Sequence, residues 1–341
     1  MLIREGSKTK MKKFYLKLLA FSLAIGLFGY LSLPAAAQSN GLGVTPRISL
    51  GSRPGGVIRD SLRVSNLSTT QPLNLRISVI DFRPAGESGT PQLIRDPNAE
   101  QTPWSLKPYL TIPETATVGA GQSTNIPFTV RFPENVGAGS YYSAIEYQAV
   151  GATDEQRVNI AASSATLLFI NVQGDAQELL TLLDFGPSSG GKIKSIFSES
   201  PQTFQYRLKN SGNLNEAPAG SIVVKNMMGK IIASIDRVNP RGELALIGQT
   251  RRFETCYPRN TEESELVKPD NCQPLNLMPG RYTAEIVLLY GQNGQQTREI
   301  GAKAAFWYLP PWFVAFLIVV LAAIAWVVYT IYRRRKPRRR R

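Results

Sequence analysis

The sequence predicts an all-β protein: two tandem Ig-like β-sandwich domains followed by a single C-terminal transmembrane α-helix. Three observations carry the prediction. Short runs alternate apolar and polar residues with a period of two, as at Leu73, Leu75, Ile77 and Val79 or Ile126, Phe128, Val130 and Phe132, with Gly, Pro, Asn and Ser between the runs. Two strand signatures each occur twice. The stretch from Leu309 to Tyr332 carries no charge and runs directly into a block of arginine and lysine.

In chain order, the first element is a leader. Lys8, Lys10, Lys12, Lys13 and Lys17 precede an apolar run from Leu18 to Leu33, and Ala35, Ala36 and Ala37 supply the small side chains of a cleavage site before Gln38. Residues 1–37 therefore read as a secretory signal peptide, with Met1 and Met11 both compatible with the start.

The exported stretch suits two domains better than one, with residues 38–173 and 174–305 as the expected halves. Gly139, Tyr141, Ile145 and Tyr147 stand at the same spacings as Gly280, Tyr282, Ile286 and Leu288. Upstream in each half an alternating strand ends at an asparagine, Asn66 and Asn210, followed by turn residues. Two sandwiches of similar topology explain the repetition. The last strand of each is expected in NIAASSATLLFINV and TREIGAKAAFWY.

The next element, residues 306–332, is the membrane span. About 20 apolar residues cross a hydrocarbon core of roughly 30 Å. Trp307 and Trp312 at one end, and Trp326 and Tyr332 at the other, fit the two interfacial aromatic belts. Arg333, Arg334, Arg335 and Lys336 open a basic tail, 333–341, and cytoplasmic flanks carry the Lys/Arg excess. The expected topology is a single pass in the cell membrane, with extracytoplasmic N-terminal domains and the C-terminus inside.

The net charge of +14 concerns topology rather than ligands. The leader holds +5 of it and the tail +8, so the remainder is +1. The exported part has no field to steer a polyanion, and nucleic acid is not an expected partner. Histidine is absent, which removes the usual general base near neutral pH and the commonest metal ligand. The two cysteines, Cys256 and Cys272, read as one disulfide in an oxidising compartment.

Several motifs point nowhere. Gly186 to Lys192 fits the G-x-x-x-x-G-K frame of a phosphate loop, but Ile193 stands where Ser or Thr is needed, so a flexible turn is expected. Leu309-Pro310-Pro311-Trp312 lacks the L-P-x-T-G of a sortase signal. Asp81, Glu100, Glu114, Glu134 and Glu146 are scattered, with no spacing that suggests an acid/base pair. No catalytic residue, cofactor or metal site is expected. Binding remains, and Trp104, Tyr109 and Tyr142 are the candidate ligand-contact aromatics.

The first half is similar to the N-terminal domain of the WxL-interacting proteins of Gram-positive bacterial surfaces. The residues that carry the likeness are Pro54-Gly55, Asn66, Asp81, Trp104, Gly121-Gln122, Pro133 and Gly139-x-Tyr141. The resemblance implies an Ig-like domain of the peptidoglycan-binding type. It also implies the family plan of signal peptide, two sandwiches, helix and basic tail. The expected function is a membrane-anchored, non-enzymatic bacterial cell-surface binding protein that contacts peptidoglycan (cell-wall glycan) or another surface protein. The first alternative is a membrane-anchored assembly factor of the pilus-chaperone type, offering an edge strand to a secreted subunit. A weaker one is an exported carboxylate-dependent hydrolase.

Overall fold

The computed structural model describes residues 41–96, 98–150, 163–262, 266, 270–291 and 298–335. The predicted signal peptide, and Lys336 with the rest of the tail, lie outside them. The first sandwich is built from β1 (Leu42–Val44), β2 (Arg47–Ser52), β3 (Val57–Asn66), β4 (Leu73–Ile80), β7 (Leu110–Thr111), β8 (Thr115–Val118), β9 (Ser123–Arg131), β10 (Gly139–Ala149) and β11 (Ser163–Val172). One sheet has the order β1-β3-β9-β7 and the other β2-β11-β10-β4-β8. A separate hairpin, β5 (Phe82–Pro84) and β6 (Pro91–Leu93), leaves the body after β4.

The second sandwich uses β12 (Leu180–Ser189), β13 (Lys192–Ile193), β14 (Ile196–Phe197), β15 (Thr203–Asn210), β16 (Ala219–Asn226), β17 (Ile231–Ile235), β18 (Thr250–Cys256), β19 (Gly280–Tyr290) and β20 (Arg298–Tyr308). Its sheets are β13-β12-β15-β18 and β14-β20-β19-β16-β17. Both halves share a device in which the opening segment changes sheets. After the first sheet begins, β2 pairs in parallel with β11, and β14 pairs in parallel with β20.

Alternation along these strands builds the two cores. Leu62, Val64, Ile126, Phe128, Val130, Ile145 and Tyr147 meet between the first pair of sheets. Phe204, Tyr206, Ile222, Phe253, Ile286 and Phe306 meet between the second pair. Full burial of each such side chain contributes about 1.5–3 kcal/mol before chain entropy is set against it.

The repeated sequence signatures have a structural cause. Gly139 and Gly280 open the equivalent strands β10 and β19 with positive φ of 142° and 155°. Two residues on, the Tyr141 hydroxyl donates to the Gly137 carbonyl (3.1 Å) and the Tyr282 hydroxyl to the Met278 carbonyl (2.6 Å). This is the tyrosine corner of Ig-like sandwiches, made twice. Asn66 and Asn210 close β3 and β15, and both are buried. Their amides donate to carbonyls around the following turns, Gln71 and Val118 for Asn66 and Leu214 and Ala245 for Asn210.

Three features refine the sequence reading. Cys256 and Cys272 are bonded, with Cα atoms 5.4 Å apart. The Gly186–Lys192 stretch is not a loose loop. Gly186 to Ser189 end β12, Ser189 pairs with Lys192, and Gly190 and Gly191 (φ 60° and 71°) form the two-residue turn of a tight hairpin. The second sandwich reaches Tyr308 rather than stopping at 305, and Phe306 is part of its core. Only Leu309 and Pro310 then precede α1 (Pro311–Arg335), which is not buried by any of the described residues and is long and apolar enough to cross a membrane.

Candidate functional site

The two sandwiches meet through a third apolar cluster. Phe82, Tyr142, Ala144 and Phe169 from the first half are buried with Leu246 from the second, and Trp104, Leu244 and Ile247 pack around them. Strand β10 is thereby covered on both faces. The rings pack closely, with centroids 4.9 Å apart for Phe82–Tyr142 and 5.5 Å for Tyr142–Phe169. Polar contacts fix the angle. Ser140 N–H donates to the Asn213 carbonyl (2.9 Å), the Asn213 amide donates to the Ala138 carbonyl (2.9 Å), and Asn215 N–H donates to the Ser140 hydroxyl (2.8 Å). A Cβ on Gly139 would lie 2.7 Å from the Asn213 carbonyl, so this strand start must be glycine for the halves to approach.

The β5–β6 hairpin clasps the second sandwich. Glu87 at its tip ion-pairs with Arg207, and the Glu87 carbonyl accepts from Arg252 N–H (2.8 Å). Gly89 (φ 75°) rests on the Arg251 guanidinium, where a Cβ would fall 2.3 Å from Cζ. Arg251 in turn donates to Glu243 (2.6 Å) and stacks over Phe253, 4.9 Å from the ring centre.

Beside the junction, Asp81 organises the segment around Trp104. Its Oδ1 accepts from the Ser105 (2.7 Å) and Ser143 (3.0 Å) hydroxyls, and Ser143 Oγ accepts from Leu106 N–H. Glu146, buried, accepts from Arg95 (2.5 Å) and Gln148 (3.2 Å). Asp81, Asp96, Glu100 and Glu146 thus come together with Arg95 and Lys107 around a cleft of about 330 Å³, which sequence spacing did not reveal. Both Glu146 oxygens and Asp81 Oδ1 are committed to these donors, and Asp81 Oδ2 lies 3.7 Å from Lys107 Nζ. Among the described residues no group of three or more His, Cys, Asp or Glu is placed to hold a metal.

The predicted contact aromatics divide. Trp104 is half-buried, stacks on Tyr142 (5.8 Å, 25°) and lines a cleft of about 530 Å³ with Arg83, Thr102 and Ile247. Tyr142 is corrected: it is completely buried in the inter-sandwich cluster and presents nothing to a ligand. Burial, with the charge of Asp81 behind it, pushes its hydroxyl well above the usual tyrosine range. Tyr109 is half-buried against Phe132 and Tyr141, away from Trp104. Of the membrane-interface set, Trp307 lies on β20, whereas Trp312, Trp326 and Tyr332 are exposed along α1. Arg333, Arg334 and Arg335 form its last turn.

Sequence patterning also missed an open edge. Strand β2 ends its sheet and, among the described residues, pairs on one side only. The Pro46 and Ser52 carbonyls both accept from the β11 side (Leu167 and Gln173 N–H, each 2.9 Å). In a parallel ladder alternate residues bond to the same neighbour, so even-numbered residues face β11. Arg47, Ser49 and Gly51 turn their N–H and C=O groups outward. Ile48 and Leu50 pack on the core, and the exposed side chains are Arg47, Ser49 and the bare Gly51.

No protein-family model matches the chain, and no curated protein matches it. Solved structures are similar to it in fold. One, described as a chaperone–tip adhesin complex of CFA/I fimbriae biogenesis, is 12% identical with a TM-score of 0.38, covering 79% of this chain and 99% of that one. The class 5 fimbriae chaperone CfaA is 14% identical with a TM-score of 0.35, covering 79% of this chain and 100% of its own. The Salmonella enterica SafA pilin–SafB chaperone complex is 12% identical with a TM-score of 0.34, covering 79% and 95%.

Proposed function

We propose that this protein is a membrane-anchored, non-enzymatic assembly factor whose two sandwiches lie outside the cytoplasm and receive an extended segment of another exported protein along β2. The observation that carries this reading is the open edge itself. Three successive outward positions, Arg47, Ser49 and Gly51, offer main-chain donors and acceptors to an incoming strand, as in β-strand addition. The small side chains at 49 and 51 leave that approach clear, and a Cβ at Gly51 would meet nothing within 4 Å. Edges of this kind are normally blunted by proline, charge or a bulge. Arg47 alone does so here, and it is turned aside to the Gly242 carbonyl (2.8 Å).

A photo-crosslinking residue at Gly51 in the membrane-borne protein tests the reading. An adduct on an extended segment of one exported protein is expected, and Ser49→Pro should abolish it, since proline there removes an outward N–H without touching the β11 ladder. No adduct, or one indifferent to Ser49→Pro, overturns the reading.

A second reading, binding of wall glycan by the first sandwich, is favoured by the Trp104 cleft. Thr102 Oγ1 and Trp104 Nε1 are buried there without hydrogen-bond partners. Retention of the protein on insoluble peptidoglycan, lost with Trp104→Ala, is the expected result of that reading, and absence of retention removes it.

A further inference from the structure

The end of the second sandwich from which α1 departs carries apolar side chains that its own fold leaves uncovered. Strand register puts them in line. Ile196 pairs with Trp307, Trp307 with Arg281, and Asn226 with Tyr282, so that Met227, next in the chain, stands level with Arg281. Tyr282 and Phe306 point into the core, and their neighbours Arg281 and Trp307 point outward. Met228 occupies the tip of the turn between β16 and β17, and Met278 lies two residues before Gly280, which pairs with Tyr308. Exposures are 85% for Met228, 78% for Met227, 77% for Met278 and 63% for Ile196. Of the five methionines, the other two are Met1 and Met11 in the leader, so every methionine beyond it is gathered at this one end.

The link to the helix has no slack. Leu309 N–H donates to the Phe197 carbonyl (2.8 Å), and the Pro310 carbonyl accepts from Phe313 and Val314 N–H in the first turn of α1. Met227 is therefore level with Trp307, four residues before the first residue of the helix, Pro311. Lys194, Lys230 and Arg281 are exposed among the methionines, with Glu199 nearby. Four residues farther from the helix along β19, about 13 Å away at strand rise, Glu285 forms ion pairs with Lys225 (2.7 Å) and Lys303 (3.0 Å).

We propose that this rim, Met227, Met228, Met278, Ile196 and Trp307, is seated in the headgroup–acyl boundary of the outer leaflet. The proposal rests on reading α1 as a membrane span. Flexible, polarisable methionines fill irregular apolar surroundings, tryptophan favours the interface, and flanking lysine and arginine keep their charges at headgroup level. A seating depth of about 5–10 Å is that of other interfacial elements, shallower than the distance to the Glu285 ion pairs. The occupant is the lipid surface because the same end is already tied to the helix that enters it.

The test uses the full chain with ¹³C-methyl methionine and an added reference, Leu67→Met, exposed at the far end of the first sandwich. It is reconstituted into phosphatidylethanolamine–phosphatidylglycerol vesicles carrying a headgroup-nitroxide lipid. Methyl relaxation at Met227, Met228 and Met278 should be enhanced about tenfold more than at the reference, as expected for side chains at headgroup depth. Equal relaxation at rim and reference in a chain that resists carbonate extraction overturns the docking. Extraction by carbonate overturns the anchoring on which it rests.

Discussion

Glu87, at the tip of a hairpin belonging to the first sandwich, is ion-paired with Arg207 in the second, whose other nitrogen donates to Asp184 (2.7 Å). The Arg207 guanidinium holds the Glu87 carboxyl below the usual carboxylate range. This contact spans the junction, so removing it tests how far the two halves depend on each other.

Glu87→Ala should lower stability by roughly 0.5–1 kcal/mol, the range for a partly exposed bidentate pair. A double-mutant cycle with Arg207→Ala measures the coupling. Because the folded pKa is depressed, the contribution is present above the unfolded value and fades as pH falls through the folded one. Small-angle scattering of Glu87→Ala should show a broader distribution of inter-sandwich distances, and an unchanged profile would mean that the apolar cluster alone fixes the angle.

Glu216 is a buried acid with the opposite sense. Burial, then the neighbouring Glu178, push its carboxyl up to about 7, against the Gly291 N–H and Arg298. Its Oε1 has no hydrogen-bond partner. The folded state therefore takes up a proton between about pH 4.5 and pH 7 that the unfolded chain, with an ordinary glutamate pKa of about 4.3, does not hold. Stability is fully retained at the bottom of that window and declines as pH rises toward 7. Glu216→Gln should abolish this slope and gain roughly 1–3 kcal/mol at pH 8, read by urea denaturation on either side of the window.

The tyrosine corners can be compared with each other. Tyr141→Phe deletes one hydrogen bond and should cost about 1 kcal/mol. Tyr282→Phe should cost about twice that, because its hydroxyl also accepts from Met278 N–H (3.0 Å), which would be left unpaired. Equal losses in thermal denaturation would contradict this difference.

Opening the Cys256–Cys272 bond releases a loop whose sequence, YPRNTEESELVKPDN, is mostly polar and charged. Cys256→Ala with Cys272→Ala should cost about 3 kcal/mol in the chain-entropy account for a loop of this length. Reductant should reproduce the loss in the parent protein and leave the variant unaffected.

The fold was legible because its signals are local. Alternation marks half-buried strands, the paired Gly-x-Tyr marks a corner whose hydrogen bond spans four residues, and the C-terminal helix declares itself by composition. What escaped involves contacts between distant segments. Tyr142 looks like a surface residue because its strand partner face ought to be solvated, yet the second sandwich covers it. Nothing in PAGESGTP announces that Glu87 and Gly89 meet Arg207 and Arg251 more than a hundred residues away. The open edge at β2 was also hidden, because RISLGS alternates like any strand and only the sheet order shows that one side is bare. The Gly-x-Tyr of the second half drew attention for its repetition, while Met278 just before it gave no sign of the rim it joins.

The two-residue connection between β20 and α1 has a consequence for how a partner would be found. A receptor on a long linker sweeps a hemisphere, and its effective concentration for any one site falls steeply with linker length. Here the linker is only Leu309 and Pro310, and the junction between the sandwiches is clasped. Within a bilayer the open edge would ride at one height and turn only about the membrane normal. Its search becomes two-dimensional, confined to a thin layer above the surface, and a segment emerging from the membrane at that same height would meet it far more often than one diffusing freely.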